Sequence, residues 1–324
     1  MPKGRSLFDT YSVNLQIILK HFDIVLGDEN TAFQPPYYIC PLSLEVFLED
    51  SLNLDVLTQE HVPPDSLGGK PICLTSKTSN NGASDLDSML KNRHESLLLY
   101  KTEKKTTAYG YLHTDEAPGK GKKVKIHTFR ENNKLVLQYI VSKQLASYVR
   151  SNVDMFTKGA TSTLNFEIID INTSPKLRAA YIKNAYLKAF AHFGYGFILG
   201  EMNRSDKTHF CNKSIQTVRE SLSLVDCTTL GNISIKEDIE EWPTSYISIA
   251  STRDGSNRYL AVPLDLEINQ KQRAVVFFHE FGGVKSTPLH LLGQHHSLDF
   301  TECPRHIDLT TEVGALWFWR NTID

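Results

Sequence analysis

Residues 57–90 read LTQEHVPPDSLGGKPICLTSKTSNNGASDLDSML, and their order decides how the chain is read. An acidic residue and a histidine, Glu60 and His61, stand together. Pro63-Pro64 and Gly68-Gly69 break the chain, and Gly68-Gly69 supplies backbone freedom for positive φ. A short apolar run at Ile72, Cys73 and Leu74 follows, then a polar Ser/Asn cluster over 76–84. In an extended strand, adjacent side chains face opposite ways. If Glu60 and His61 act together, the backbone there must bend, and Pro63-Pro64 supplies a local constraint.

Elements on both sides can be read from periodicity. Leu7, Phe8, Tyr11, Leu15, Ile18, Leu19 and Phe22 fall at helical spacing, which predicts a helix over 6–22. Leu86, Met89 and Leu90 begin a second helix. Ser84 is its expected cap, and Asp85 and Asp87 sit in its first turn. Alternating runs across 106–142 predict antiparallel strands, with a flexible basic loop at APGKGKK, and 161–171 predicts another. Ser174-Pro175 opens a helix that Gly194 closes after Phe193, and a further helix is expected near 212–223. The runs YISIAS, YLAVPLDLEI and RAVVFFHEF predict strands, and the apolar tail GALWFWR is expected to dock on the core.

Composition narrows the class. The chain has 324 residues, enough for roughly two domains. At 40% hydrophobic and 22% charged it has ordinary globular composition. A net charge of −2 argues against a protein that coats nucleic acid along its whole surface, although local basic patches remain possible. Five widely spaced cysteines do not suggest a disulfide framework, so a reducing compartment fits better. There is no signal-peptide pattern and no run of 18 apolar residues, so the expectation is a cytoplasmic protein without a membrane span.

The central stretch resembles the HNH endonucleases, whose core is strand, loop, strand and helix. Glu60-His61-Val62-Pro63, Ser66-Leu67-Gly68-Gly69, Asn80-Asn81, Ser84 and Asp87 follow the order of one subgroup. Leu74-Thr75 followed by Asn80 also resembles the HNH module of RNA-guided nucleases, and 179–198 resembles a helix that often follows this subgroup. The resemblance covers about a fifth of the chain. It implies first and second strands at 57–61 and 72–75, a loop at 63–70, and a helical half opening at Asn80. It departs from the pattern at the zinc knuckle. Cys40-x-x-Ser43 and Ser76-x-x-Ser79 stand where relatives carry two Cys-x-x-Cys pairs. Serine is a poor structural zinc ligand, so no structural zinc is expected and the knuckle should be held by packing and hydrogen bonds. Pro71 lies near the place of a central asparagine.

The resemblance implies a metal-dependent endonuclease acting on DNA. Its residue types suit the chemistry. A histidine can take a proton from water, and a carboxylate with an amide oxygen can hold one hard cation. His61 is therefore the expected general base, and Glu60 and Asn80 the expected ligands of Mg²⁺ or Mn²⁺, with Asn81 as the fallback. Lys77, Lys91 and Arg93 are the expected phosphate contacts, and the lysines of 104–105 and 120–125 are weaker ones. Gln294-His295-His296 and Cys303-x-x-His306 look metal-like but lack a second pair. Trp242, Trp317 and Trp319 read as core or interface.

The expected architecture is α+β, with an N-terminal helix and ββα-metal module in 1–98 and a larger α+β domain in 99–324. Restriction or anti-phage defence is the context the resemblance implies. Two alternatives stay open. One is a degenerate nucleic-acid-binding or interaction subunit. The other is a nuclease switched on by a partner protein or signal molecule at the C-terminal domain. A homo-oligomer also stays open.

Overall fold

The computed structural model describes residues 3–24, 26, 36–101, 106–112, 122–131, 134–140, 146, 150, 171, 174–199, 213–237, 245–267, 271–279, 287 and 298–322. Helices and antiparallel sheets are mixed along the chain, so the fold is α+β. The chain divides into two compact units, Met1–Met89 with Ile171–Asp324, and Leu90–Asp170. The expected division at residue 98 is therefore not the one the fold makes. Residues 171–324 pack with the first 89, because the long apolar helix near 180 belongs to the same core as the N-terminal helix.

In the first unit, helix α1 (Arg5–His21) buries Phe8, Tyr11, Leu15, Ile18 and Leu19 on one face, as its periodicity predicts. Lys20 and His21 sit in its last turn, where the helix dipole favours cations. Strands β1 (Tyr37–Ile39) and β2 (Val46–Leu48) form a short hairpin. A second hairpin pairs β3 (Leu57–Val62) with β4 (Lys70–Ser76). It runs directly into α2 (Lys77–Gly82) and α3 (Ser84–Lys101). Ser76 caps α2, its hydroxyl accepting from Ser79 N at 3.2 Å, so the helical half opens three residues before Asn80. Ser84 is the first residue of α3 and not its cap.

In the second unit, β5 (Thr106–Leu112), β6 (Lys122–Glu131) and β7 (Lys134–Ile140) form an antiparallel meander. Lys122 and Lys123, at the end of the expected basic loop, lie on β6 together with Lys125. The strand expected over 161–171 falls outside the described residues, apart from Ile171.

The chain returns to the first unit with α4 (Pro175–Phe193), capped by Ser174 and closed by Gly194 at φ 64°. A Cβ on Gly194 would lie 2.3 Å from Asn14 Oδ1, so the turn needs glycine twice over. Helix α4 is apolar nearly all round and packs against both the β3–β4 hairpin and the large sheet. Around it, Phe190 stacks on Tyr11 at 4.9 Å and meets Tyr195 edge-on at 5.3 Å. Short helix α5 (Tyr195–Ile198) follows, then α6 (Lys213–Leu224) and α7 (Cys227–Asn232).

Strands β8 (Ser234–Lys236), β9 (Ser248–Thr252), β10 (Arg258–Glu267), β11 (Lys271–His279) and β12 (Leu298–Glu302) form one antiparallel sheet in the order β12-β9-β10-β11-β8. The apolar tail folds as α8 (Glu312–Ala315) and α9 (Trp317–Thr322). Phe193 stacks on Trp317 at 5.5 Å and packs on Phe318 at 4.9 Å, which docks the tail on the core as expected. Trp319 packs on Phe22 at 5.1 Å.

Candidate functional site: a buried ion triad beside the strand–strand–helix element

The β3–β4 hairpin is regular from Leu57 to Glu60 and then slips. Glu60 faces Cys73, but His61 faces Pro71, so Ile72 is left over as a bulge. The break falls at the Glu60–His61 step where the sequence called for a bend. The loop beyond it is tight. Gly68 adopts φ 79°, and Gly69 passes so close to Pro63 that a Cβ would sit 1.4 Å from the Pro63 carbonyl oxygen. Tyr38 fixes the other strand, its hydroxyl donating to Leu74 O at 2.6 Å and accepting from Leu74 N at 3.2 Å.

Alternation puts Thr58 and Glu60 on the same face of β3. Asn80 reaches that face from α2, its amide donating to Thr58 Oγ1 at 3.0 Å. Thr75, on β4, donates through Oγ1 to Glu60 Oε2 at 3.1 Å. Glu60 Oε1 in turn lies 2.7 Å from Lys183 Nζ on α4. Lys183 donates to Asp87 Oδ1 on α3 at 3.2 Å. Glu60 and Asn80 therefore flank the hydrophilic end of the hairpin, one held by Lys183 and Thr75 and the other by Thr58.

Lys183 and Glu60 are both almost wholly buried, with side chains 3% and 4% exposed. Burial alone would lower the lysine pKa, but the Glu60 and Asp87 carboxylates outweigh it and hold the ammonium above its ordinary value. Burial pushes the Asp87 carboxyl up, opposed by Lys183. The neighbouring Cys73 thiol is raised well above its ordinary value by burial and then by Glu60.

His61 is half-buried and lies opposite Pro71 in the hairpin. It is next to Glu60 in sequence but is not linked to Glu60 or Asn80 by a hydrogen bond. Lys77 is exposed and pairs with Asp55. Lys91 and Arg93 lie on the part of α3 that belongs to the second unit, so the expected phosphate contacts are split between the units. Of the other metal-like pairs, 294–296 lies outside the described residues. Cys303 is buried and His306 exposed.

The four knuckle positions do converge. Cys40 Sγ accepts from Ser43 N at 3.5 Å and from Ser76 N at 3.3 Å, and Ser76 Oγ bonds Ser79 Oγ at 2.8 Å. This knot ties the β1 end to the start of α2 by hydrogen bonds.

In donor chemistry, Glu60 and Asn80 fit a hard divalent cation, since both offer oxygen. Glu60 has already given one oxygen to Lys183 and the other to Thr75, which leaves its remaining lone pairs for any ion. Among the described residues no group of three or more His, Cys, Asp or Glu side chains is gathered as a metal cluster. Sequence reading did not assign Lys183 a role. Its signal was a lysine inside AAYIKNAYLKAF, a stretch otherwise apolar at helical spacing, where a buried cation requires carboxylates nearby.

Comparison with family models, with curated proteins and with solved structures returns no match for this chain.

Proposed function

We propose that the β3–β4–α2 element is an HNH-type module that hydrolyses DNA phosphodiester bonds in a metal-dependent manner. One observation carries this reading. Glu60 and Asn80 meet one face of a two-stranded hairpin that feeds straight into a helix, with His61 placed at a break in the pairing next to Glu60. The converged Cys40, Ser43, Ser76 and Ser79 knot supports it. His61 takes the proton from the attacking water, as a general base does. Glu60 and Asn80 would hold Mg²⁺ or Mn²⁺, which supplies charge stabilisation to the phosphate and leaving oxygen. Lys77 neutralises backbone phosphate without reading bases. Restriction or anti-phage defence in the cytoplasm remains the context that the resemblance suggests. The test is nicking of supercoiled plasmid by the full chain with Mg²⁺ or Mn²⁺, against chelator.

A second reading is favoured by the Glu60–Lys183 contact. An ammonium already neutralises the carboxylate that would bind the ion. On this reading the element is a degenerate module that binds nucleic acid or a partner and does not cut. Metal-independent DNA retention without nicking is its expected result.

A further inference from the structure

Glu60 is already engaged by a cation of the chain's own. Its Oε1 lies 2.7 Å from Lys183 Nζ, and both side chains are almost wholly buried. Its Oε2 accepts from Thr75 Oγ1 at 3.1 Å. A divalent ion on this carboxylate would stand beside the ammonium in a site withdrawn from water, where like charges repel strongly. The ion and the ammonium therefore compete for Oε1.

Lys183 has a second position open to it. Nζ also donates to Asp87 Oδ1 at 3.2 Å. Asp87 is the more open of the two carboxylates, 27% exposed against 4% for Glu60. A cleft of about 310 Å³ opens between the start of α3 and α6. Lys183 lines it with Asp85 and Ser79, whereas Glu60 is not part of its wall. Lys183 thus stands between the cleft and Glu60. Lys176 and Arg219 also line the cleft, so a released ammonium is held by Asp87 near Asp85 and does not cross it. The four-carbon lysine stem is flexible enough for that turn.

We propose that Lys183 is a latch on the metal site. Bound to Glu60, it keeps a divalent cation out. The cation enters only as the ammonium leaves Oε1 for Asp87 and the cleft. The inference rests on the HNH-type reading, in which Glu60 is a ligand of Mg²⁺ or Mn²⁺. It adds a threshold of metal concentration below which the site stays shut, because the ion has to bear the cost of opening the latch.

The experiment reads the lysine and the ion, not cutting. The full chain is acylated with an amine-reactive ester in chelator and in Mn²⁺, and each lysine is followed by peptide mass spectrometry. In chelator, Lys183 should react far more slowly than the exposed Lys176. Mn²⁺ should accelerate Lys183 several-fold and leave Lys176 unchanged. In calorimetry, Lys183→Met should bind Mn²⁺ at least about tenfold more tightly than the parent, because the competing state is gone. Glu60→Gln added to Lys183→Met should remove that gain. Should Lys183→Met not fold, acylation of the parent chain decides alone. Mn²⁺ binding by the parent with unchanged Lys183 acylation, or no tighter binding in Lys183→Met, would overturn the latch, and metal-dependent nicking by the parent would then leave the HNH-type reading standing. No Mn²⁺ binding to parent or variant, with no nicking, would overturn both.

Discussion

Lys183 Nζ lies 2.7 Å from Glu60 Oε1, and both side chains are withdrawn from solvent. The contact joins the central helix α4 to the hairpin that carries the candidate site. Two charges taken out of water gain little net stability as a pair. Removing one of them leaves the other uncompensated, which is a much larger effect. The pair therefore fixes where the hairpin sits more than how stable the domain is.

The first prediction concerns that pair. Lys183→Met should cost about 3–5 kcal/mol in urea unfolding, because Glu60 is left as a buried lone charge. Adding Glu60→Gln should restore part of the loss, giving a coupling above about 1 kcal/mol. A Lys183→Met loss below about 1 kcal/mol would mean that the contact does not form.

The knuckle gives a gain-of-function prediction. Changing Ser43, Ser76 and Ser79 to cysteine should complete a four-thiolate set with Cys40, since hydrogen bonds already hold the four positions together. The triple variant should retain one zinc per chain through gel filtration and melt several degrees higher with zinc than with chelator. Metal content no higher than that of the parent chain would show that the four positions do not converge.

Two glycines should respond in opposite directions. Gly69→Ala drives a methyl into the Pro63 carbonyl oxygen and should cost at least about 2 kcal/mol. Gly82 ends α2 with nothing within 4 Å of an added Cβ. Gly82→Ala should be neutral or stabilising by up to about 1 kcal/mol. Equal effects by chemical denaturation would refute the loop geometry.

Acid stability should depend on His192. Burial, reinforced by Lys188, lowers its pKa to about 4 from an ordinary 6.5. Between those values the unfolded chain binds a proton that the folded chain refuses. Stability is therefore lost as pH falls from 6.5 to about 4 and levels off below, on the order of 2–3 kcal/mol. His192→Gln keeps a side-chain donor and cannot titrate, so its stability should vary less with pH across that window. An unchanged pH slope in the variant would remove His192 from the account.

Much of the fold is visible in the residues themselves. Ser174, Pro175 and Gly194 mark both ends of α4, and the Phe8–Leu19 spacing marks α1, because caps and periodicity are local. The hairpin and the break at Glu60 are also local, set by the proline and glycine pairs. What stayed hidden is long-range. Residue 183 meets residue 60 across more than a hundred positions, and no spacing rule reports that. The unit boundary was missed for the same reason. α1 and α4 share one aromatic core around Tyr11 and Phe190, although the whole second unit lies between them in sequence. Lys91 and Arg93 looked like neighbours of Lys77, but α3 carries them out of the first unit.

The central claim is phosphodiester hydrolysis with His61 as base. It is tested most directly by nicking of supercoiled plasmid with Mg²⁺ or Mn²⁺, comparing the full chain with His61→Ala at equal folded concentration. The account predicts metal-dependent relaxation by the parent chain, abolished by chelator and reduced at least about a hundredfold in His61→Ala. No relaxation under either metal, or undiminished cutting by the variant, would contradict it.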